Sequence, residues 1–422
     1  MDDRAFLTGL FETAVAAADP KRALAPVLPE KPKGRTVVVA LGKGAAQLAA
    51  AFEELWDAPV EGVVVTRYGY AAPCRHLPVL EAAHPVPDAA GEKAAQAVFD
   101  AVTGLTEDDL VVALVCGGGS ALLPAPPEGL TLEDEQALNK ALLTSGAPIG
   151  VMNAIRKHVS RIKGGRLAAA CAPARVVSFV VSDVPGDDPA QVASGPTVPD
   201  SVTRDHALAL IRTRGIRLPE RIMAHIEGES ASAPGPDDPV FARNAVKVIA
   251  SARLSLEAAA EQVRAAGFEA AILSDAIEGE AADVGAVHAA IAREVVLRDR
   301  PFTKPVVILS GGETTVTLGD TPGRGGRNTA FLLGFAEGIE GLEGITALAA
   351  DTDGIDGSED NAGAFADGGT LARIRENGQD PRQFVQDQDP YGAFDVIGDI
   401  FAPGPTGTNV NDFRAILIRA PQ

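Results

Sequence analysis

Short apolar runs alternate with amphipathic stretches along most of the chain. Thr36–Leu41 (TVVVAL), 62–66 (GVVVT), Leu110–Cys116 (LVVALVC) and 176–181 (VVSFVV) are uncharged. They are too short for core helices, which predicts strands covered on both faces. Helical spacing of apolar residues follows at Ala45–Leu55, 89–102 and 131–143, the last opened by Thr131 with Asp134 at capping-box spacing. A long helix is expected after Pro148, reaching Gly164-Gly165, and helical pattern resumes from Arg204. Residues 230–239 (SASAPGPDDP) read as a linker. Beyond them Ala245–Ala250, 269–273, 306–309 and 314–318 read as strands, and 254–266 and 281–297 as helices. Strand–helix alternation of this kind predicts an α/β protein.

A chain of 422 residues exceeds what one core comfortably serves, roughly 250–300 residues. The linker then suggests domains 1–235 and 236–422. With Lys+Arg 37 against Asp+Glu 57 the formal charge is −20, which argues against nucleic acid and against an anionic membrane as partners. Local basic clusters in so acidic a chain therefore stand out. Cys74, Cys116 and Cys171 have no paired spacing, so neither a disulfide framework nor a zinc site is expected, and a cytoplasmic setting fits. Asp2, Asp3, Arg4 and Glu12 do not read as a signal peptide. The charge-free stretch 110–127 is broken by glycines and prolines and does not read as a membrane span.

Candidate chemistry sits where strands end. Lys43 lies between Gly42 and Gly44 at a strand-to-helix turn, where an anion would offset its conflict with the helix dipole. A solvated loop lysine is the alternative. The glycines also suggest a dinucleotide fingerprint, but Gln47 stands where the third glycine belongs, and Arg67 rather than an acid ends the next strand. Gly117-Gly118-Gly119-Ser120 follows another strand and can offer backbone donors and a hydroxyl to a carboxylate or phosphate. Along 153–165, Asn153, Arg156, Lys157, Ser160, Arg161 and Lys163 would form one basic flank without acidic partners at i+4, as a polyanion would require. Asp183 and Asp187, in SDVPGDD, could hold magnesium or accept a hydroxyl proton, with Ser194 and Thr197 close in sequence. His84 precedes Asp88, which reads first as a helix cap.

Two further segments complete the set. Gly323-Arg324-Gly325-Gly326-Arg327-Asn328 can turn N–H groups and a guanidinium onto an anion. Asp351-Thr352-Asp353-Gly354 follows, with carboxylates suited to a hard cation, though Ala362 at the twelfth position excludes an EF-hand. Thr406, Thr408 and Asn409 lie in a last rigid polar loop that can contact a nucleotide or phosphate.

These motifs occur in one order over nearly the whole chain: GKGAA at 42–46, HPVPD at 84–88, GGGSAL at 117–122, NAIRKHVSRIKGGRLA at 153–168, SDVPGDD at 182–188 and ASGPT at 193–197. GGETTV at 311–316, GRGGRN at 323–328, DTDGIDG at 351–357 and GPTGTNVND at 404–412 continue the series. In this the chain resembles the glycerate 2-kinases with a C-terminal MOFRL domain, a family also labelled hydroxypyruvate reductase. The resemblance implies a Rossmann-like parallel-sheet N-terminal domain, a smaller α/β C-terminal domain and an active site in the cleft between them. It also implies phosphorylation of D-glycerate by ATP with Mg2+ at the 2-hydroxyl. Lys43 and Arg327 match the family's catalytic positions. Cys116 and Thr329-Ala330 depart from its usual residues, and the latter removes any carboxylate role at 330.

On this reading Lys43, Arg327 and Asp183 act in catalysis, and His84, Gly118, Gly119, Ser120, Asn153 and Arg156 bind substrate. Lys157, Ser160, Lys163, Gly325, Gly326, Asn328, Thr406, Thr408 and Asn409 bind the nucleotide or its phosphates. Asp187, Asp351 and Asp353 hold the metal, although the residues themselves do not choose between Asp183 and Asp187 as base and ligand. Homodimerisation stays open. Two other readings compete: an NADPH-dependent reductase of hydroxypyruvate or tartronate semialdehyde, and a sugar-acid sensor without turnover.

Overall fold

The computed structural model describes residues 2–319 and 323–420. It divides into two compact units, Pro20–Ile249 and a second made of Met1–Asp19 with Ala250–Gln422.

The first unit is built on a six-stranded sheet. Its strands are β1 (Thr36–Leu41), β2 (Glu61–Arg67), β3 (Val79–Ala82), β4 (Leu110–Cys116), β5 (Arg175–Val181) and β6 (Ala245–Ala250). The order is β3-β2-β1-β4-β5-β6, and the pairs β2–β3, β1–β2, β1–β4 and β4–β5 are parallel. That is the doubly wound Rossmann order, whose ligand crevice opens where the order reverses, between β1 and β4. All six residues of β1 and all seven of β4 are buried, because alternate side chains feed separate cores on the two faces. The fold class read from the apolar runs is the one observed.

The segment 230–239 does not separate the units. The chain passes it and returns to the same sheet as β6, so the crossing comes at residue 250. The expected long helix after Pro148 is also broken. A helix spans Ile149–Arg156, a single tight turn spans Lys157–Val159, and Ser160 is extended. Gly164 and Gly165 then adopt positive φ and donate to Ser194 O and Gly195 O, while Arg166 Nη1 donates to the carbonyls of Lys157 and Lys163. These bonds fix the interruption, and 153–163 is not one helical face.

The second unit carries a seven-stranded mixed sheet. Its strands are β7 (Glu269–Ile272), β8 (Ile277–Glu280), β9 (Val306–Thr315), β10 (Ile345–Asp351), β11 (Gly363–Asp367), β12 (Ile400–Phe401) and β13 (Asp412–Ile418). The main order is β12-β11-β10-β13-β9-β7, with β8 beside β9. The expected strand at 306–309 and the start of the one at 314–318 are one strand, β9, which ends at Thr315, so 316–318 lie outside it. Helices Ala281–Arg298 and Arg327–Ile339 cover one face, and Asp3–Ala17 with Ala252–Ala265 cover the other. Phe6, Leu7, Leu10, Phe11 and Ala14 lie on one side of the N-terminal helix and pack into that second face. No helix among the described residues is long and apolar enough to cross a membrane.

Candidate active centres

In the first unit the site forms at the β1/β4 crevice. Gly42 closes β1 with φ near 120°, and a Cβ there would stand 2.4 Å from Cys116 O, so only glycine lets the turn pass the end of β4. This places Lys43 over the Gly117–Ser120 bend: a Cβ on Gly118 would meet Lys43 Cγ at 2.9 Å and His84 Cδ2 at 3.3 Å. Lys43 N donates to Gly117 O at 2.8 Å. Asp183 follows β5, and its carboxylate lies directly over Gly117, where a Cβ would fall 1.8 Å from Oδ2. Asp88 caps the helix Ala89–Ala101 through Gly91 N, as its sequence context predicts.

Charge converges here. Burial, with Lys43 and Arg67 nearby, lowers His84 from 6.5 to about 4, so its imidazole is neutral at pH 7. Burial beside Asp183 pushes the Cys116 thiol up to about 12, which removes it as a nucleophile. A polar chain runs away from Ser120. Its hydroxyl meets Ser194 Oγ at 2.9 Å, Ser194 Oγ donates to Asn153 Oδ1 at 3.2 Å, and Arg156 Nη1 donates to the same oxygen at 3.1 Å. Arg156 is fixed from its other side by Asn139 Oδ1 at 2.8 Å. The turn bearing Ser194 is strained, with Ala193 and Ser194 at φ 51° and 61°. Gly118, Gly119, Ser120, His84, Lys43 and Asp183 are thus assembled around one bend, and Asn153 and Arg156 are linked to it.

Lys157, Ser160 and Lys163 are not. Each is at most 2% exposed. Lys157 pairs with Asp200 at 3.2 Å and Lys163 with Glu135 at 2.5 Å, both inside the unit. The acids absent at i+4 come from distant segments, so these residues are structural in place of forming the expected phosphate flank. Asp187, in the loop after β5, has φ 55°.

The second unit's centre follows from register. Antiparallel pairing sets Asp351 at the end of β10 beside Asp412 at the start of β13, and Asp412 beside Gly312 of β9, next to Glu313. Arg327 opens the helix above them. Its Nε donates to Asp412 Oδ1 at 2.6 Å, Nη2 to Asp351 Oδ2 at 2.6 Å and Nη1 to Glu313 Oε1 at 3.1 Å. Asp412 and Asp351 are buried, whereas Glu313 is 55% exposed. The surrounding carboxylates raise Arg327 above its ordinary value despite burial. Burial pushes Asp351 up to about 8, with Asp353 and Asp412 adding to the rise and Arg327 opposing it.

The chain itself supplies an anion at the start of this helix. Asp356 accepts from Asn328 N and Thr329 N, each at 2.9 Å, and from Thr329 Oγ1 at 2.8 Å. Asn328 Nδ2 goes to Asp412 Oδ1 at 2.9 Å, and Asn328 is wholly buried. Gly326 lies against Asp356, where a Cβ would come 2.4 Å from Oδ1. Asn328 and Gly326 therefore serve this internal cap and not an incoming phosphate. Gly325 is partly exposed, with φ 134°. Thr406 and Thr408 hydroxyls donate to Thr352 O, at 2.5 and 3.4 Å, tying their loop to the Asp351 turn, while Asn409 is exposed.

Among the described residues no group of three or more His, Cys, Asp or Glu is placed to hold a metal. Magnesium asks less, one or two carboxylates with substrate phosphates completing its shell. Asp353 and Asp187, both partly exposed, fit that demand, although Asp353 Oδ1 also accepts from Ile355 N at 2.8 Å. Asp351 fits it less well, since it is buried, with Oδ2 holding Arg327 and Oδ1 holding Asp353 N. Glu313, Asp356 and Asp412 escaped sequence reasoning as individual residues, although GGETTV, DTDGIDG and GPTGTNVND contain them. Nothing local signalled their partners, which come from distant segments.

Comparison with known proteins agrees with this architecture. Residues 6–227 match a domain of unknown function, DUF4147, and residues 306–412 match the MOFRL family. A protein of Agrobacterium vitis with the provisional name hydroxypyruvate reductase is 51% identical, covering 98% of this chain and 94% of its own length. The glycerate 2-kinase of Pyrococcus horikoshii is 38% identical, covering 99% and 98%. The crystal structure of glycerate kinase from Thermotoga maritima superposes with a TM-score of 0.89 at 38% identity, covering 98% of this chain and 99% of that one.

Proposed function

The chain belongs to the glycerate kinase family that carries a MOFRL domain, and we propose that it moves the γ-phosphoryl of ATP onto the 2-hydroxyl of D-glycerate, giving 2-phosphoglycerate. The observation that carries the proposal is the Gly118 bend. Lys43 and a neutral His84 flank it, with Asp183 over one side and Ser120, linked to Arg156, on the other. A short hydroxy acid needs those groups: donors for its carboxylate, a carboxylate for its hydroxyl proton and a cation near the oxygen that attacks.

In this account the Ser120–Ser194–Asn153–Arg156 chain orients the glycerate carboxylate. Asp183 accepts the proton as the 2-oxygen forms its bond to phosphorus and the bond to the ADP oxygen breaks. Lys43 and Arg327 stabilise charge on the transferred phosphoryl, where catalysis is mostly positioning and electrostatics. Magnesium, held by Asp353 or Asp187 together with the nucleotide, would neutralise phosphate charge.

Phosphorus NMR of the product made from D-glycerate, ATP and magnesium tests the reading. A 2-phosphoglycerate signal supports it, and 3-phosphoglycerate or no product rejects it. NADPH with hydroxypyruvate is the rival assay. Arg67 ends β2, where a 2′-phosphate could be read. No oxidation of NADPH is expected, because Gln47 replaces the glycine that close approach of a dinucleotide demands.

A further inference from the structure

One enclosed cation has no task in the account above. Arg414 lies within β13 with its side chain wholly buried, a place where a well-packed apolar residue usually does as well or better. Its Nη2 donates to Asp412 Oδ2 at 2.5 Å and to Thr314 Oγ1 at 3.1 Å. Among the described residues Nε and Nη1 have no hydrogen-bond partner, and the guanidinium rests 4.9 Å from the ring centroid of Phe331. Stability alone gives no reason for a charge so incompletely satisfied.

Its location gives one. Asp412 and Arg414 are two apart on a strand and share a face, the face beneath the helix Arg327–Ile339. Phe331 stands one helical turn after Arg327 on that helix. Asp412 divides its oxygens: Oδ1 takes Arg327 Nε and Asn328 Nδ2, whereas Oδ2 takes Arg414 Nη2, Thr314 N and Thr314 Oγ1. Without Arg414, Oδ2 would keep only the two longer Thr314 contacts, at 3.2 and 3.3 Å, and Asp412 could turn about its terminal torsion with Arg327 following it. Asp351 and Asp412 are also cross-strand neighbours, and both carboxylates take nitrogens of Arg327. The Arg414 guanidinium holds Asp412 from the other side.

We propose that Arg414 is a positioning residue, which by clamping Asp412 Oδ2 holds Arg327 in the orientation that meets the transferred phosphoryl. The proposal rests on the reading that Arg327 acts on that group. Arg327 supplies the charge; Arg414 supplies the aim.

The test is a double-mutant cycle on the full chain with Arg414→Met, Arg327→Lys and their combination, folding being checked by circular dichroism. In folded Arg414→Met, kcat falls about tenfold or more while KM for glycerate stays within about twofold, and Arg414→Lys recovers part of the loss. In the Arg327→Lys background the Arg414 change costs less than about twofold, because there is no longer a guanidinium to aim. Losses that multiply, or folded Arg414→Met with kcat within about twofold of the parent, overturn the proposal. Where Arg414→Met does not fold, Thr314→Val takes its place: it removes one Oδ2 contact and the hydroxyl that accepts from Arg414 Nη2, a fall in kcat of about threefold at constant KM is expected, and no fall overturns. Near-parental turnover of Arg327→Lys would instead defeat the underlying reading, whatever Arg414 does.

Discussion

Lys43 and Arg327 are held differently. Lys43 reaches over Gly118, whereas Arg327 is tethered at three nitrogens by three carboxylates. Lys43→Ala and Arg327→Ala should each lower kcat by about 100-fold or more, measured by coupled assay on protein with unchanged circular dichroism. Glu313 is the exposed tether, so a phosphate can replace it. Glu313→Gln should lower KM for the nucleotide, and a raised KM would show that Glu313 assists binding. His84 carries a pH signature. Its folded value is depressed from 6.5 to about 4, so its contribution to stability is complete above 6.5 and disappears as pH falls through 4. Imidazole NMR should show titration near 4; titration near 6.5 would mean that the ring is solvated, with Lys43 and Arg67 away from it.

At the level of elements, Asp356 is the cap on which the helix Arg327–Ile339 starts. Asp356→Ala should cost about 1–2 kcal/mol in denaturant unfolding, since it removes the acceptor of two backbone N–H groups. Gly326→Ala should cost about 1–3 kcal/mol by overpacking against that carboxylate. Neither effect could be read from the chain, because Asp356 sits in a turn that looks like a cation loop. The strands Thr36–Leu41 and Leu110–Cys116 were legible as uncharged runs, and Ala245–Ala250 as an apolar run interrupted only by Lys247. The 153–165 segment misled because its spacing imitates a helix. The Glu135 and Asp200 carboxylates that neutralise Lys163 and Lys157 come from elsewhere in the chain. Lys43 and the glycine bends were visible because strand ends in a doubly wound sheet face the ligand whatever the details.

For the whole molecule, residue order and spatial order differ. β6 belongs to the first sheet although it follows the proline-rich stretch, and the N-terminal helix belongs to the unit formed by 250–422. Trp56, the single tryptophan, lies in the core of the other unit. Leu10→Ala should therefore destabilise the second unit by about 2–5 kcal/mol while leaving the tryptophan fluorescence transition in place. A fluorescence transition that moved equally would mean the two units unfold as one.

The placement of helix Asp3–Ala17 also has a consequence for biosynthesis. Its apolar side is translated early, yet the strands β9, β10 and β13 that receive it are made only after the whole Pro20–Ile249 unit. That unit can close on itself while the ribosome is still working, but Phe6, Leu7, Leu10 and Phe11 must wait in water or under a chaperone until nearly the last strand emerges.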